Sequence, residues 1–272
     1  MVLTPPQVLS FQQKIYNYYQ RFGRSFPWRG SGVTPYEILV SEVMLQQTQS
    51  QRVIPKYRAF IQKLPDFLAL ATAPQSQVLL LWSGLGYNRR ALFLKRCAQE
   101  VMDKYRGILP ADELVLKQLP GIGTYTAAAI AAFAFNKPVV LIETNVRTVF
   151  IQEFFEHKKD INDDELLPLI KQVLDYGNPR RWYWALMDYG AHLKKQLGNL
   201  NRKSAHYTKQ SKFVGSDRQI RGMILKLLLT KPRTEKEVIT HISGNALLVK
   251  QIIDTLRAEG FITITNNQVS IR

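Results

Sequence analysis

Cysteine is almost absent from this chain of 272 residues: Cys97 stands alone. A lone thiol excludes an internal disulfide framework and any zinc or iron–sulfur site built on cysteine, and it fits a reducing compartment. Acidic residues are also scarce, 21 against 37 Lys and Arg, leaving a formal net charge of +16. Such an excess favours a polyanionic partner, because neutralising phosphates releases their counterions. A generally basic surface or a membrane-surface binder would carry a similar charge. No long apolar run is present. The stretch from Thr126 to Phe135 is too short to span a bilayer, and the start, Met1-Val2-Leu3-Thr4-Pro5-Pro6, lacks the pattern of a secretory signal. A soluble, intracellular protein is expected. Internal repeats and low-complexity tracts are missing as well, which sets aside solenoids and disordered chains. At 46% hydrophobic residues, a real core can be buried.

What is there is helical. From Pro6 to about Leu200 the periodicity predicts helices at 6–22, 34–45, 51–64, 75–82, 89–105, 112–118, 124–135, 145–155, 163–176 and 181–197, separated by Pro or Gly. Thr34-Pro35-Tyr36-Glu37 carries a capping box with proline at the first helical position. Strands are nearly absent, so the fold class is all-α. Between His192 and Arg221 the composition shifts: eight Lys or Arg and one Asp read as a basic connector. Beyond it, helices at 217–229, 234–242 and 246–259 precede Phe261–Ile264 and Val269–Ile271, which flank Asn266-Asn267. Three helices and a hairpin are the plan of a winged helix-turn-helix domain.

Four segments could carry chemistry. In Leu119-Pro120-Gly121-Ile122-Gly123-Thr124-Tyr125-Thr126, two glycines allow a tight turn that aims backbone N–H groups at a phosphate; a ligand-free helix–helix turn would look similar. Glu42, in Ser41-Glu42-Val43-Met44-Leu45-Gln46-Gln47-Thr48-Gln49, sits among apolar residues. Desolvation there would raise its pKa and suit a general acid, although an ordinary pairing with a nearby Arg would also account for it. Gln46 and Gln47 fall where that helix should end, placed either to fill the gap left by an extruded base or to cap the helix. Gly84-Leu85-Gly86-Tyr87 is a glycine-framed turn whose Leu and Tyr suit wedging into a base stack if exposed, or pinning the turn if buried. Glu143, in Glu143-Thr144-Asn145-Val146-Arg147, stands at a helix start, where a carboxylate is most often a cap; it could also stabilise a cationic sugar. The histidines, His157, His192, His206 and His241, are scattered and read as surface or connector residues.

These motifs together resemble the adenine DNA glycosylase (MutY-type) branch of the helix-hairpin-helix glycosylases, over roughly residues 22–193. Ser41–Gln49 carries the resemblance most strongly. Phe26-Pro27-Trp28-Arg29, Gly84–Tyr87, Leu119–Gly123 and Ala185-Leu186-Met187-Asp188-Tyr189-Gly190-Ala191 complete it in the same order. The resemblance implies a two-lobed glycosylase core over 1–212, with one lobe at about 30–135 and the other formed by 1–29 plus 136–212; the winged-helix plan read from the residues takes up 213–272. It implies a monomeric protein whose partner is double-stranded DNA holding a mismatched or damaged base. Glu42 would be the acid that protonates a departing adenine at N7, with Glu143, Tyr125 and Asn145 as the other catalytic residues. Trp28, Arg29 and Leu45 would line the base pocket. Gln46, Gln47, Thr48, Leu85, Gly86, Tyr87, Gly121, Ile122, Gly123 and Thr124 would contact DNA, and the hairpin carbonyls could hold a hydrated monovalent cation.

The sequence departs from that pattern in three places. Tyr125 stands where lyase-competent relatives carry lysine, so no Schiff base with the sugar can form and a monofunctional enzyme is expected. A tyrosine there also occurs in some thymine–guanine mismatch glycosylases, which keeps thymine or uracil opposite guanine open as the substrate. The family's catalytic aspartate falls on Glu143, and its iron–sulfur ligands fall on Lys194, Asn201, Ser204 and Gln210, so no cluster and no other cofactor is expected. The domain that reads 8-oxoguanine is replaced by the winged-helix segment, which would grip flanking DNA or bind a partner protein. A catalytically silent DNA-binding protein is the alternative that Glu143 and the missing cluster leave open.

Overall fold

The computed structural model describes residues 1–209, 212–242 and 245–272. Its helices are α1 (Pro5–Phe22), α2 (Pro35–Leu45), α3 (Ser50–Lys63), α4 (Phe67–Thr72), α5 (Gln75–Trp82), α6 (Arg89–Tyr105) and α7 (Glu113–Leu116). They continue as α8 (Thr124–Phe135), α9 (Thr144–Phe154), α10 (Asp163–Gln172), α11 (Pro179–Leu197), α12 (Asp217–Leu228), α13 (Glu235–His241) and α14 (Ala246–Ala258). Short 3-10 turns lie at Pro27–Arg29 and Leu200–Lys203. The strands are β1 (Arg233–Thr234), β2 (Ile262–Thr265) and β3 (Gln268–Ile271). Among the described residues no helix is long and apolar enough to cross a membrane.

The chain divides into two compact units, one of residues 1–42 and 110–209, the other of 43–109 and 210–272. This division differs from the one expected. Residues 110–135 join the first unit because α8 is buried on every side: Ala128, Ala129, Ala132 and Phe133 share one core with Val146, Val149 and Phe150 of α9 and with Trp182, Ala185 and Leu186 of α11. Small alanines let α8 be covered all round, and a helix apolar all round belongs in a core. Helix α1 closes the same core with Phe11 and Ile15, and the Phe11 ring meets an aromatic group of Phe150, Phe154 and Trp182.

Within this unit most helix ends lie where local chemistry puts them. Thr34 and Glu37 form the anticipated reciprocal cap on α2, Thr34 N donating to Glu37 Oε2 at 2.7 Å and Glu37 N to Thr34 Oγ1 at 3.2 Å. Helix α10 stops at Gln172, four residues before the expected end. Asp175 accepts from the N–H groups of Gly177 and Asn178 and from the Tyr16 hydroxyl, building a side-chain turn that competes with another helical turn. The first half of the expected connector is ordered. Ile161 N donates to Lys203 O and Ala205 N to Ile161 O, so residues up to 205 are tied to the segment before α10.

The second unit packs α3 to α6 through Val53, Tyr57, Phe60, Leu70, Leu79, Trp82, Leu94 and Val101, all buried. Helix α4 escapes the periodicity because it is only six residues long; Asp66 caps it by accepting from Ala69 N. Residues 217–272 fold as helix, strand, helix, helix, hairpin. The antiparallel sheet has the order β1-β3-β2, with Ile264 opposite Val269 and Asn266-Asn267 at the tip, both at positive φ as a two-residue hairpin turn requires. Far from being separate, this segment bonds to α5 and α6: Gln75 Nε2 donates to the carbonyls of Gly260 and Phe261, and Glu259 accepts from both Arg89 and Arg221.

Candidate active site

The first unit brings together Glu42, Tyr125, Glu143, Asn145, Arg29 and, unanticipated, Asp188. Glu42 lies in the stretch of α2 from Ile38 to Met44 that is buried all round, and only 7% of it is exposed. Burial pushes its carboxyl up to about 8, and the charge of Glu143 adds to the rise; Arg29 and a hydrogen bond from the Tyr125 hydroxyl oppose it. A carboxyl in that range holds its proton at neutral pH, as a general acid must. Tyr125, on the first turn of α8, is held well above its ordinary value by burial and by the two carboxylates, so it stays a hydrogen-bond donor.

Glu143 caps α9. Its Oε1 accepts from Asn145 N at 2.7 Å and Val146 N at 2.9 Å, and its Oε2 from Asn145 Nδ2 and Thr144 Oγ1. The extra methylene relative to aspartate is taken up in a cap that still closes on the second and third helical N–H groups. Four donors hold the carboxylate at the positive end of the α9 dipole. The capping reading and the charge-stabilising reading of Glu143 are therefore compatible: the cap fixes where the charge stands.

Arg29, expected at the base pocket, is paired. Its Nη1 donates to both Asp188 oxygens, at 3.0 and 2.9 Å, and Arg24 adds bonds from its backbone N and its Nε. Asp188 is 2% exposed. Trp28 is buried and stacked on Phe26, with ring centroids 5.1 Å apart, and the Arg29 guanidinium lies 5.5 Å from the Trp184 ring centroid. Arg29 thus faces Glu42 with its charge largely answered by Asp188, which lets burial win at Glu42. The sequence offers Asp188 only as part of a motif, with no signal of its role.

That pairing yields a prediction. In Asp188→Asn the two guanidiniums lose their buried counter-charge, which should cost on the order of 3 kcal/mol in stability. The freed Arg29 should also pull the Glu42 pKa down, moving the alkaline limb of the pH–rate profile to lower pH. A profile that keeps its wild-type limb would show that Arg29 does not govern Glu42.

The hairpin before α8 is formed by Ile122 N donating to Leu119 O, with Gly121 at φ +78°. Gly121, Gly123 and Thr124 are exposed, and α8 begins with no side-chain cap. Ile122 is 5% exposed, so its side chain anchors the hairpin, and a contact with a phosphate at this position would fall to its backbone, as the reading of the turn expects. An open cavity of about 810 Å³ adjoins this turn, lined by Thr124, Tyr125, Ala128, Leu141, Ile142 and Leu167 among others.

The remaining expected contacts belong to the second unit. Leu45 and Gln46 are partly buried, whereas Gln47 is exposed at φ +52°, a conformation costly for a side-chain residue. Leu85 corrects the exposed wedge: at 3% exposure its side chain is core, leaving Gly86 and the partly buried Tyr87 at the tip. The reason is Arg90, which no sequence motif marks. This buried guanidinium takes the carbonyls of Val43, Met44 and Gln46 at the end of α2 and those of Leu85 and Gly86, together with Thr48 Oγ1, clamping both loops inward.

No iron–sulfur donor set is available among the described residues. Cys97 is buried in α6, and burial pushes its thiol up to about 12. Of the corresponding positions, Lys194 is a surface amine, Asn201 donates to Thr144 O and Thr148 Oγ1, and Ser204 accepts from His206 N. Gln210 lies outside the described residues. Amine, amide and hydroxyl groups do not replace four thiolates.

Residues 40–245 match the family described as HhH-GPD superfamily base excision DNA repair protein. The chain is 31% identical over 283 residues to the adenine DNA glycosylase of Mycolicibacterium smegmatis, covering 97% of this chain and 94% of that one. It is 45% identical over 132 residues to the adenine DNA glycosylase of Mycobacterium tuberculosis, covering 48% of this chain and 43% of that one. Among solved structures it resembles a thermostable thymine-DNA glycosylase (TM-score 0.59, 28% identity, 68% of this chain and 86% of that one). A non-covalent endonuclease III–DNA complex shares the fold at 19% identity, with TM-score 0.57 over 68% of this chain and 85% of that one. The chain belongs to the HhH-GPD superfamily of base excision DNA repair proteins.

Proposed function

We propose that the chain is a monofunctional DNA N-glycosylase that extrudes an adenine mispaired with guanine or 8-oxoguanine and hydrolyses its N-glycosidic bond. The observation that carries this reading is the carboxyl of Glu42, buried at 7% exposure and pushed up by burial and by Glu143, whose side chain caps α9. Glu42 gives its proton to N7 of the everted base. The bond electrons leave with the base, which departs neutral, and the sugar takes on oxocarbenium character. Glu143 stabilises that cation electrostatically. Water adds at C1′ and returns a proton to Glu42, leaving an abasic site. An amine would be needed at position 125 for strand cleavage, and a tyrosine stands there.

Extrusion favours a mispaired base because less stacking and pairing is lost. The exposed hairpin turn Gly121–Thr124 would hold a phosphate at the α8 N-terminus. No resident metal or cluster enters the reaction, and the protein works as a monomer inside the cell. Adenine as the target is supported by relatives named adenine DNA glycosylase, one of them alike over nearly the whole chain. Thymine or uracil opposite guanine is the second reading, favoured by Tyr125 and by the likeness to a thymine-DNA glycosylase.

The test is single-turnover base release on duplexes carrying each mismatch and each 8-oxoguanine pair, developed with alkali. Adenine release from A·G or A·8-oxoguanine duplexes is expected. Release of thymine or uracil alone would establish the second reading; release of no base from any duplex would leave a DNA-binding protein; strand cleavage without alkali would contradict the monofunctional mechanism.

A further inference from the structure

The turn between α5 and α6 is held more tightly than a turn needs. Gly84 and Gly86 have φ +92° and +71°, and Tyr87 follows at +46°. Left-handed backbone at a bulky residue costs about 1–3 kcal/mol and persists only where the surroundings over-determine it. Here they do. Arg52 donates to Gly84 O, Trp82 Nε1 to Gly86 O, and Arg90 to Gly86 O. Two guanidiniums lie over the Tyr87 ring, Arg90 at 5.5 Å and Arg218 at 5.1 Å from its centroid. Arg218 also donates from Nη1 to the Tyr87 hydroxyl.

Arg218 comes from elsewhere in sequence: it is the second residue of α12, 131 positions on. One turn further, Arg221 pairs with Glu259, which pairs with Arg89, two residues past Tyr87. Residues 218 and 221 share a helix face, so that face of α12 reaches the Tyr87 turn directly through Arg218 and the start of α6 through the Arg221–Glu259–Arg89 link. The Gln75 bonds to Gly260 and Phe261 fix the far end of the segment.

We infer that the 217–272 segment is a brace for damaged-base recognition: Arg218 is a positioning residue that fixes Tyr87 for entry into the base stack. The inference rests on the reading that the 84–87 turn enters the duplex. It assigns the C-terminal segment a role through this turn and not as an independent grip on flanking DNA. The loop's occupant is a duplex step opened by an unpaired base, whose exposed π-face an oriented phenol can stack on.

The experiment compares Arg218→Ala, Tyr87→Ala and the double variant by single-turnover base release. It also compares their affinity, by fluorescence anisotropy, for a duplex holding a tetrahydrofuran abasic analogue and for an undamaged duplex. Arg218→Ala should lower release about tenfold and weaken the abasic duplex by a similar factor, with the undamaged duplex changed less than about twofold. The double variant should be no worse than Tyr87→Ala, because the arginine acts through the ring. Arg218→Lys should keep the charge without restoring the rate. Glu259→Gln, which breaks the neighbouring Arg221–Glu259–Arg89 link one turn along α12, should shift abasic-duplex affinity in the same direction.

Equal weakening of both duplexes by Arg218→Ala, or multiplicative effects in the double variant, would overturn the inference in favour of independent DNA gripping. So would a Tyr87→Ala protein that binds the abasic duplex as wild type. If the wild type releases no base from any duplex, the glycosylase reading fails, while the affinity comparison still decides for or against the brace.

Discussion

Replacing Glu42 by glutamine should abolish most base release and at the same time make the protein more stable. The amide has no proton to give, so the single-turnover rate should fall by roughly 10²–10⁴, the usual worth of a positioned general acid. Stability moves the other way for a reason set by linkage. In the unfolded chain the carboxyl ionises near its ordinary value, whereas in the folded protein it is pushed up to about 8. Between these values the folded state binds the proton and the unfolded state does not, so stability falls as pH rises through that window. At pH 7 the folded protein carries a cost on the order of 3 kcal/mol. Glutamine, isosteric and neutral, escapes it. The melting temperature of Glu42→Gln should exceed wild type by roughly 5 °C or more near pH 7.5, with the gain shrinking toward pH 4.5. The wild-type rate should fall tenfold per pH unit above about 8 as the acid loses its proton. Scanning calorimetry and a pH–rate profile check the two halves separately. A variant that is active, or one whose stability gain does not depend on pH, would remove Glu42 from the chemistry.

Gly190→Ala should be the most disruptive change of a single methyl group. Helix α11 crosses α9 so closely that a Cβ at 190 would lie 2.1 Å from Asn145 O and 2.7 Å from its carbonyl carbon. Both obstacles are backbone, which cannot swing aside as a side chain can. The start of α9 must move. Overpacking of this kind should cost on the order of 3 kcal/mol and lower the melting temperature by roughly 10 °C. The same movement displaces Glu143, whose carboxylate is fixed by the second and third N–H groups of α9. Even the folded fraction, assayed at low temperature, should therefore release base about 100-fold more slowly, as misplacement by about 1 Å does elsewhere. Wild-type stability in the alanine variant would refute the close crossing.

Much of this molecule is legible in its residue order alone. The ends of α5, α6 and α8 fall where periodicity puts them, because a helix is decided by residues three and four apart. Glu42 declares itself by standing in an apolar stretch, which is a local property too. The capping box at Thr34 and the hairpin turn at Asn266-Asn267 are readable for the same reason. The four-residue α7 keeps its expected start, through the Asp112 cap, but ends two residues early.

The departures from expectation arise at longer range. Leu85 has the sequence of an exposed tip because nothing nearby in the chain reveals that Arg90 gathers carbonyls from two loops around it. The lobe boundary differs from expectation because alanines in α8 carry no mark of which core will bury them. The C-terminal segment has the pattern of a separate domain because its helices and hairpin are locally complete, whereas its docking depends on Gln75, Arg89 and Tyr87.

By itself, then, the sequence determined most of the helices, the buried carboxyl at position 42, the absence of thiolate ligands and the glycine hairpin, since each follows from residue type and short spacing. Only the tertiary structure decided that Asp188 neutralises Arg29 across 159 positions, that Gly190 admits the backbone of Asn145, and that Arg218 reaches Tyr87. Those contacts form between residues distant in the chain, and a pairing of that kind has no period or local motif to betray it.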